Sequence, residues 1–494
     1  MTYFAHNLLE LFFLLAAAAL LQLLWPLLTG SRTGRLTLRR LIRILRRSGL
    51  AVITYLLLGA SLPHIRTPKL TTAEETTLPE PAAFYGNTHL AQRAALVTEN
   101  QQALELRLHM IANAKTSIIL TTFSFHADDS GSDLLALLLE AANRGVRVEI
   151  LCDGFDAMTD QSGKEPFSSL ATHPNIHWRV YSPGSFLRPG KAMARMHEKY
   201  LIVDGKYLLL GGRNCHDYSL GNYPAKIHNI DLDILVTGQG GVIDELTDRH
   251  AAMTALQECI PLSPAAEQEI IEDSYARLHS RAAQLRQEHP DLFTPYDYDA
   301  VTHPCDQITL IASDIEPTRK SPTRWHTLCT LMENAEHEVR VHTPYLICNR
   351  EMKADLARIA DRTDLCITLN APETSANLFG AGVYLNDKDA LMATGAQLME
   401  YHGSYSSHSK AICIDERLAI VGSFNIDMRS AYIDSELMLA VDSPALAHDL
   451  KAFMDAVDLY AVPAEAPSDL PTTPKRELLI GLMRLIERPF RHLL

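Results

Sequence analysis

Two stretches of the chain, His197-Glu-Lys199-Tyr-Leu-Ile-Val-Asp204 and His408-Ser-Lys410-Ala-Ile-Cys-Ile-Asp415, place the same polar residue types at the same intervals. Each runs on to a glycine-led turn, which is Gly211-Gly212-Arg213-Asn214 in the first copy and Gly422-Ser423-Phe424-Asn425 in the second. In both copies the histidine stands two residues before the lysine, seven before the aspartate and seventeen before the asparagine. A chain of 494 residues exceeds one ordinary hydrophobic core, so the repeat predicts two similar halves.

The repeated stretch brings a base and a cation to one small site, because residues two apart on a strand point to the same face. The asparagines add amide donors. Two imidazoles, two ammonium groups and two amides suit a tetrahedral anion such as a phosphoryl group. A single His-x-Lys is usually part of a solvated edge strand, but its recurrence with four matched polar positions favours a functional site. The candidate residues are His197, Lys199, Asn214, His408, Lys410 and Asn425.

The aspartates and glycines of the repeat have local interpretations. Asp204 and Asp415 stand at predicted hairpin turns, where aspartate is common for reasons of its own. We expect them to fix the loop and the lysine rather than to take part directly in chemistry. The glycines are expected to let the backbone approach a ligand. A protonated lysine is a poor metal ligand and no carboxylate cluster lies nearby in sequence, so neither a metal nor another cofactor is predicted.

Charge is unevenly distributed along the chain. The formal net charge is −14, yet residues 1–66 hold eight arginines and one glutamate, a net of +7, which leaves −21 for the remainder. An acidic body is poorly matched to nucleic acid, whose binding depends on clustered lysine and arginine. The eight cysteines are scattered without a C-x-x-C pair, so most are expected to be small buried residues, and no disulfide can be assigned.

The amino-terminal region predicts a membrane anchor. Residues 8–28 are nearly all apolar and long enough to cross a bilayer as a helix. No basic segment precedes them, as it would in a signal peptide, and seven arginines follow: Arg32, Arg35, Arg39, Arg40, Arg43, Arg46 and Arg47. The shorter apolar run 50–62 is either a second crossing or an interfacial segment. If both cross, the positive-inside bias puts the arginines in the cytoplasm and the body on the extracytoplasmic side. If only one crosses, arginines and body share one side.

The predicted elements of the body alternate between strand and helix. In the first half they are a helix over 94–114, a strand over 117–123, a helix over 132–144 and a strand over 146–151, followed by a hairpin at Asp204-Gly205. In the second half strands over 338–345 and 365–370 flank a helix over 352–361, ahead of a hairpin around residues 415–417. This alternation indicates two tandem α/β sandwiches, each with a parallel sheet covered by helices.

We therefore divide the chain into six segments: a membrane anchor (1–66), a linker (67–84), a first α/β domain (85–262), an outer helical connector (263–300), a second α/β domain (301–461), and a proline-rich linker with a basic amphipathic tail (462–494). One helical face of the tail is apolar and comprises Leu478, Leu479, Leu482, Leu485 and Ile486, with the arginines largely off it. Such a helix either lies in a lipid interface or docks on the body.

The doubled pattern His-x-Lys-x4-Asp with Gly-Gly/Ser-x-Asn resembles the phospholipase D superfamily over residues 85–460. The stretch Gly422-Ser-Phe-Asn425-Ile-Asp-Met-Arg-Ser430, which continues to Glu436, is similar to bacterial cardiolipin synthases, as is Thr343-Pro344-Tyr345. The resemblance implies two phospholipase D-like α/β/α domains that join to form one shared active site. It also implies a phospholipid substrate, with phosphatidylglycerol the expected one, and a location in the bacterial inner membrane.

The same resemblance implies a mechanism. One histidine attacks phosphorus to give a phosphohistidine, and the other protonates the departing alcohol and later deprotonates the acceptor. His197 is expected to be the nucleophile and His408 the acid and base, while the lysines and asparagines hold the phosphoryl oxygens. Glu436 and Asp231 match positions at which the family places a carboxylate that orients a histidine. Three basic residues before the first motif either attract an anionic head group or form a solvated loop: Arg188, Lys191 and Arg195.

Hydrolysis and transfer share this intermediate and differ in whether water or an alcohol resolves it. The membrane anchor favours transfer, and hence a phosphatidyltransferase of the cardiolipin synthase type. The alternative enzyme is a phospholipase D or a nucleic-acid phosphodiesterase, and the acidic body disfavours nucleic acid. A non-catalytic lipid-binding scaffold is a third alternative, which the completeness of both motifs disfavours.

Overall fold

The computed structural model describes residues 3–28, 38–225, 227–265, 267–466 and 472–494. The described part contains two large sheets covered by helices, which confirms the predicted α/β class with two halves. The strands up to the connection between the halves are β1 (Arg93–Val97), β2 (Ser117–Thr122), β3 (Arg147–Asp153), β4 (Ile176–Tyr181), β5 (Tyr200–Val203), β6 (Tyr207–Gly211), β7 (Asn229–Ile230), β8 (Asp233–Thr237), β9 (Cys259–Pro261) and β10 (His303–Pro304).

The strands that follow are β11 (Gln307–Ala312), β12 (Glu338–His342), β13 (Leu346–Ile347), β14 (Asp364–Asn370), β15 (Gln397–Tyr401), β16 (Ser406–Ser407), β17 (Ala411–Ile414), β18 (Leu418–Gly422), β19 (Ile426–Asp427), β20 (Leu437–Asp442) and β21 (Ala461–Pro463). The α-helices are α1 (Tyr3–Leu28), α2 (Leu38–Ser61), α3 (Thr72–Thr77), α4 (Asn100–Ala112), α5 (Asp129–Asn143), α6 (Gly154–Asp156), α7 (Phe167–Leu170), α8 (Val242–Thr254), α9 (Gln268–Glu288), α10 (Thr323–Glu333), α11 (Arg350–Ala360), α12 (Leu378–Met392), α13 (Met428–Tyr432), α14 (Pro444–Asp458) and α15 (Pro474–Phe490).

The two sheets have mixed topology. The first has the order β10-β1-β8-β6-β5-β2-β3-β4-β9 and the second the order β11-β20-β18-β17-β12-β14-β15-β21. The predicted parallel arrangement is correct for β2, β3 and β4 and for β12, β14 and β15. The other neighbours in these sheets are antiparallel, as the short hairpins β5–β6 and β17–β18 require.

An apolar layer lies between the two sheets and joins the halves into one body. It combines side chains of β5, β6 and β8 with those of β17, β18 and β20, and helices α8 and α14 contribute to it. Ile202 and Ile234 of the first sheet, and Val421 and Leu439 of the second, are at most 2% exposed. Burying such side chains contributes about 1.5–3 kcal/mol each. The halves are therefore held by a continuous core.

The predicted helix over 94–114 is wrong at its start. Residues Arg93–Val97 form β1, which pairs antiparallel with β8, and α4 begins at Asn100. The run is too short for its periodicity to separate strand from helix, and pairing with β8 buries Ala94 and Val97.

Two predicted domain boundaries also need correction. The segment 67–84, predicted as a linker, contains α3, whose capping box joins Thr71 and Glu74. The segment ends at Phe84, which is buried in the core of the second half. His303–Pro304, which the sequence placed in the second domain, pair with β1 of the first sheet. Both errors arise because contacts distant in sequence decide where a segment packs.

The two predicted outer helices are present. The connector helix α9 packs along α5 and buries Leu278, Ala282 and Leu285. The tail helix α15 docks on α12, where a Cβ added at Gly382 would come within 3.0 Å of Met483. All eight cysteines lie in the described part of the chain and are unpaired, and seven of them are buried, which confirms that they are small core residues.

The amino-terminal region forms a pair of helices, α1 and α2. The first contains a segment, Asn7–Trp25, that is long and apolar enough to cross a membrane. The second joins the apolar run 50–62 to the preceding arginines in one continuous helix, while Arg32 and Arg35 lie outside the described residues. Gln22 Nε2 donates to Ser48 Oγ at 2.9 Å between the two helices.

One loop of the first half, residues 182–192, receives the helix pair. Glu10, near the start of α1, accepts the Phe186 amide at 2.7 Å. Just beyond the end of α2, His64 Nε2 lies 3.1 Å from the Gly190 carbonyl oxygen. The start of α1 and the end of α2 are therefore both at the body, which puts the arginine-bearing start of α2 at the far end of the pair.

The hairpins after the His-x-Lys segments turn at Asp204-Gly205 and Asp415-Glu416, as predicted. All four residues have positive φ, at 55°, 59°, 52° and 48°, which is the geometry of a two-residue type I′ turn.

The aspartate side chains bind the backbone ahead of the neighbouring central strand. Asp204 accepts the amides of Lys115, Thr116 and Ser117, and Asp415 accepts those of Glu336, His337 and Glu338.

We expect Asp204→Ala to lower the free energy of unfolding by about 1–3 kcal/mol, because three backbone donors lose their acceptor. Burial acts to raise the pKa of Asp204, but the backbone hydrogen bonds outweigh it and lower the pKa. The stabilisation is therefore present above the unfolded pKa of about 3.9 and is lost as the pH falls through the folded value.

Thermal unfolding of the detergent-solubilised protein, followed by circular dichroism from about pH 7 down to about pH 3, measures this difference. Asp248→Ala, at an exposed position of α8, is the matched control. Equal melting temperatures for the two variants at neutral pH would show that the contacts of Asp204 contribute nothing.

Candidate active site

Both His-x-Lys segments lie where the two halves meet. His197 and Lys199 immediately precede β5, and His408 and Lys410 immediately precede β17, which are central strands of their sheets. The lysines are 2% and 1% exposed, while the histidine side chains are 16% and 26% exposed. The lysines are therefore buried, whereas the histidine side chains are partly exposed.

Each segment is held in place by the backbone of the other half. The His197 amide donates to the Ser435 carbonyl at 2.9 Å, and the His408 amide donates to the Ile230 carbonyl at 2.7 Å. In both cases the residue that directly follows the acceptor is acidic.

Each of these two acidic residues contacts the histidine of the opposite half. Glu436 of the second half lies 2.9 Å from Nδ1 of His197, and Asp231 of the first half lies 2.6 Å from Nδ1 of His408. Both carboxylates are fully buried. The sequence identified both residues as candidates, but their spacing gave no indication that each contacts the histidine of the opposite half. Nδ1 of each imidazole is thus engaged by a carboxylate, and Nε2 of His197 is the nitrogen left for a substrate. Nε2 of His408 lies 2.9 Å from Lys410 Nζ, so that imidazole and the lysine face the site together.

The glycine-led turns make room for these carboxylates. A Cβ on Gly212 would lie 2.3 Å from an Asp231 carboxylate oxygen. At the matching position of the second half, Ser423 donates its hydroxyl to Glu436, and Ser430 donates to the same carboxylate at 2.7 Å. The prediction that the glycines admit a ligand is therefore wrong at Gly212, where the protein's own carboxylate fills the space.

The two carboxylates differ in charge. Burial acts to raise the pKa of Asp231, but the positive charges of Lys410 and His408 outweigh it, and the pKa is about 2. Burial dominates at Glu436 and raises its pKa to about 8. The surroundings of Asp231, the partner of His408, therefore favour its anionic form, whereas burial favours the protonated form of Glu436, the partner of His197.

Burial also weakens the positive charge of the site. It lowers the pKa of Lys199 to about 7 and that of Lys410 to about 8. Burial and the charge of Lys199 bring the pKa of His197 well below its ordinary value. The pKa of His408 is lowered by burial and by Lys410, with Asp231 opposing the change. An anion entering the site would replace the hydration that the ammonium groups have lost.

The two asparagines lie at the site with different partners. The side-chain oxygen Oδ1 of Asn214 accepts the Ser124 amide at 3.3 Å. Asn425 donates through Nδ2 to the Tyr345 hydroxyl at 3.3 Å, and its buried Oδ1 has no partner in the described part of the chain. Tyr345, which the sequence marked only as the end of a strand, is therefore a contact of the site.

Phe123 is a site residue that the sequence did not single out. Its ring packs edge-on against His197, with 5.3 Å between ring centroids, and Lys199 Nζ lies 5.4 Å from the Phe123 centroid. The second distance is typical of a cation–π contact. Phe123 directly follows β2, and a position at the end of a central strand is the signal that would have indicated it.

Asp204 and Asp415 are not part of this cluster. They stand five residues beyond the lysines, roughly 16 Å away along an extended strand, at the opposite ends of β5 and β17. They fix the turns as expected, but they do not fix the lysines.

The basic residues ahead of the first motif have separate positions. Arg195 is buried and pairs with buried Asp153 at 3.2 Å, so it is neither a head-group ligand nor part of a solvated loop. Lys191 pairs with Glu258 at 2.7 Å, and Arg188 is exposed in the loop that receives the helix pair.

One group of possible metal ligands occurs among the described residues, and it lies outside the histidine–lysine cluster. The ligand atoms of His126, Asp156 and Asp160 are all within 4.8 Å of one another. Asp156 already accepts the Ser124 hydroxyl at 2.6 Å and the Phe125 amide at 3.0 Å, so its carboxylate orders the loop after β2.

Comparison with known proteins identifies relatives of both halves. A family profile described as "Cardiolipin synthase, PLD-like domain" matches residues 108–249 and 328–457. Cardiolipin synthase C of Escherichia coli (strain K12) is 26% identical over 388 residues, which cover 70% of this chain and 80% of that protein. The major cardiolipin synthase ClsA of Bacillus subtilis (strain 168) is 25% identical over 348 residues, which cover 69% of this chain and 64% of that protein.

A solved structure shares the fold. The phosphatidylserine synthase of Haemophilus influenzae Rd KW20 superposes with a TM-score of 0.61 at 11% identity, and the match covers 85% of this chain and 98% of that one. The fold and the paired site thus define a protein with two phospholipase D-like domains. The chain belongs to the family described as "Cardiolipin synthase, PLD-like domain", and hence to the phospholipid-modifying enzymes of the phospholipase D superfamily.

We expect Asp231→Asn to lower kcat at least about tenfold more than Glu436→Gln. The first change removes an anion from a buried pair, a loss of about 10⁴-fold in the comparable pair of a serine protease. The second change replaces a carboxyl group whose pKa is raised by burial with an amide of the same shape.

The rate of head-group release from a phospholipid in detergent micelles measures both effects, and thermal unfolding of each variant is the control for folding. Equal losses, or a larger loss for Glu436→Gln, would mean that the two pairs do not differ in charge.

Proposed function

We propose that the protein is a membrane-bound phosphatidyltransferase of the cardiolipin synthase type. It transfers the phosphatidyl group of one phosphatidylglycerol to the head-group alcohol of a second, with cardiolipin and glycerol as products. The observation that supports this most directly is the pair of exchanged contacts, His197 with Glu436 and His408 with Asp231, beside two buried lysines. This arrangement provides a nucleophile, an acid and anion-binding groups in one place.

In the first step, Nε2 of His197 attacks phosphorus and the bond from phosphorus to the glycerol oxygen breaks. His408, protonated at Nε2, donates its proton to that oxygen, so glycerol leaves as a neutral alcohol. The phosphatidyl group remains on His197 through a P–N bond. Lys199 and Lys410 stabilise the charge on the non-bridging oxygens.

In the second step, the primary hydroxyl of another phosphatidylglycerol attacks phosphorus. The now neutral His408 takes the hydroxyl proton, and the P–N bond breaks with its electron pair returning to His197. The proton and the imidazole are both restored, so the enzyme is ready for a further cycle.

The charges of the two pairs support these roles. A nucleophilic imidazole must be neutral, and burial beside Lys199 brings the pKa of His197 well below its ordinary value. For His408, Asp231 supplies an anion that favours the protonated imidazole and opposes the lowering of its pKa by burial and by Lys410. A bound phosphodiester adds a further negative charge near His408.

Transfer rather than hydrolysis is supported by the amino-terminal helix pair. The apolar segment Asn7–Trp25 would hold the body at a lipid surface, where acceptor head groups are concentrated. Relatives named as cardiolipin synthases point to the same reaction.

Labelled lipid tests the reaction. Purified protein in detergent, given phosphatidylglycerol labelled in its head-group glycerol, is expected to release labelled glycerol and form cardiolipin. His197→Ala and His408→Ala are each expected to lower this rate by about 10³-fold or more, because the two side chains perform different parts of one cycle.

His89→Ala is the matched control, since His89 is an exposed histidine paired with Asp306. Phosphatidic acid as sole lipid product would indicate a hydrolase, and cleavage of oligonucleotides alone would remove the lipid assignment. A substantially active His197→Ala or His408→Ala variant would overturn the shared site, and an inactive native protein would indicate a scaffold.

We further propose that the protein lies in the bacterial cell membrane with its body on the extracytoplasmic side. The body contacts the start of α1 and the end of α2, so the arginines of α2 are separated from it by the apolar part of the pair. The positive-inside bias then assigns the arginines to the cytoplasm.

Cysteine labelling with a membrane-impermeant maleimide tests this orientation, since seven native cysteines are buried and the eighth is half-buried. Ser280→Cys on α9 is expected to react in intact spheroplasts, whereas Arg39→Cys at the start of α2 is expected to react only after lysis. The opposite pattern would place the body in the cytoplasm.

A further inference from the structure

The carboxyl-terminal helix α15 turns an apolar stripe toward solvent. Leu478, Leu482 and Leu485 are 73%, 45% and 72% exposed. Residues spaced by four and three positions lie on one side of a helix, so the three leucines are neighbours. A helix that docks only to complete a protein core turns such a stripe inward.

The opposite side of α15 is fixed to the body by polar contacts. Arg476 donates to the Ser375 carbonyl at 2.6 Å. Asn386 of α12 accepts from Arg484 Nε at 2.9 Å and donates to Glu487 at 2.9 Å. These contacts fix the rotation of the helix about its axis, and they keep the leucines outward.

The end of α15 lies beside the anchor helices. His492, just past the helix, lies against the backbone of Ser61 at the end of α2. Arg429 joins the same region, since it donates to the Leu493 carbonyl at 3.0 Å and to the Met193 carbonyl at 2.7 Å. The carboxyl end of α15, which follows Leu485, therefore lies on the side of the body from which the helix pair extends.

The charges around the stripe are mainly basic. Arg484 is held by Asn386 of α12, and the other exposed charged residues of α15, Lys475, Glu477 and Arg488, carry a net charge of +1. An apolar stripe bordered by lysine and arginine is the pattern of a helix that lies in the interface of an anionic bilayer.

We propose that α15 is a second membrane contact of this protein and lies among the head groups of an anionic phospholipid bilayer, with Leu478, Leu482 and Leu485 inserted between acyl chains. The proposal rests on the membrane-bound function proposed above and adds a contact that the helix pair does not provide. The basic border and the adjacent anchor favour a bilayer over a second copy of the chain as the occupant.

This contact connects the bilayer with the active site through α12. A Cβ on Gly380 of α12 would lie 3.1 Å from the ring of Tyr345, whose hydroxyl accepts from Asn425. Since α15 docks on α12, and α12 lies against Tyr345, α15 is connected to Asn425 of the second motif through α12 and Tyr345. A bilayer bound by α15 and by the helix pair is thus held on the side of the body next to the site.

Quenching by brominated lipid tests the insertion directly. The full chain carrying Leu482→Cys, labelled with an environment-sensitive fluorophore, is reconstituted in vesicles of brominated phosphatidylglycerol. We expect roughly twofold or greater loss of emission relative to non-brominated vesicles, because the label lies at acyl-chain depth. Ser280→Cys on α9, labelled in the same way, is the control and is expected to be unaffected.

Absence of quenching at position 482, or equal quenching at position 280, would overturn the proposal. Equal quenching in vesicles of zwitterionic lipid alone would overturn the preference for an anionic surface. A concentration-dependent change of emission without lipid would assign the stripe to a second copy. The measurement needs no lipid turnover, so it decides the proposal even if the proposed transferase activity fails.

Charge substitution tests the consequence for catalysis. Leu478→Glu combined with Leu485→Glu is expected to lower the rate on vesicle phosphatidylglycerol by roughly tenfold, the factor associated with burial of about one leucine. The rate on short-chain, monomeric phosphatidylglycerol is expected to stay unchanged. Leu459→Glu, at a leucine that is 83% exposed, is the matched control and is expected to leave both rates unchanged. An unchanged vesicle rate in the double variant, or equal losses on both substrates, would contradict the membrane contact.

Discussion

The exchange of carboxylates between the halves is the interaction on which the rest of the site depends. His197 is oriented by Glu436 and His408 by Asp231, so neither half contains a complete histidine–carboxylate pair. Short strands reinforce the exchange, because β7 pairs with β16 across the boundary and Met196 bridges to Ser435. The apolar layer between the sheets keeps these parts in register, since a close-packed interior resists small displacements.

The residue between histidine and lysine in the first motif contributes to the same connection. Side chains alternate in direction along the extended segment ahead of β5, so Glu198 lies on the side opposite His197 and Lys199. There Glu198 is fully buried and accepts from Arg249 of α8 at 3.2 Å, and it also accepts the Ser435 hydroxyl of the other half. Removing one partner of a buried pair is far more costly than the pair's own contribution. The side of the segment that bears His197 and Lys199 is thus stabilised by the Glu198–Arg249 pair on the opposite side.

The sequence predicted the features that short-range patterns determine. The spacing of His197 and Lys199 gave the polar cluster, and Asp204-Gly205 gave the hairpin. The exchange itself joins residues 239 and 177 positions apart, which no local pattern indicates. Arg195 was misjudged for the same reason, since its partner Asp153 is far from it along the chain. Pairing with the distant strand β8 also determines that β1 is a strand, although its residues show no clear hydrophobic periodicity.

The exchanged contacts also have a consequence for the order of events during synthesis. The amino-terminal helices are made first, so a growing chain can reach a membrane long before residue 436 exists. Until then His197 has no carboxylate partner, and Asp231 has no histidine to orient. A nascent or truncated chain held by the proposed anchor would therefore lack both histidine–carboxylate pairs. On the function proposed above, membrane attachment would precede catalytic competence, which requires the later half to fold against the earlier one.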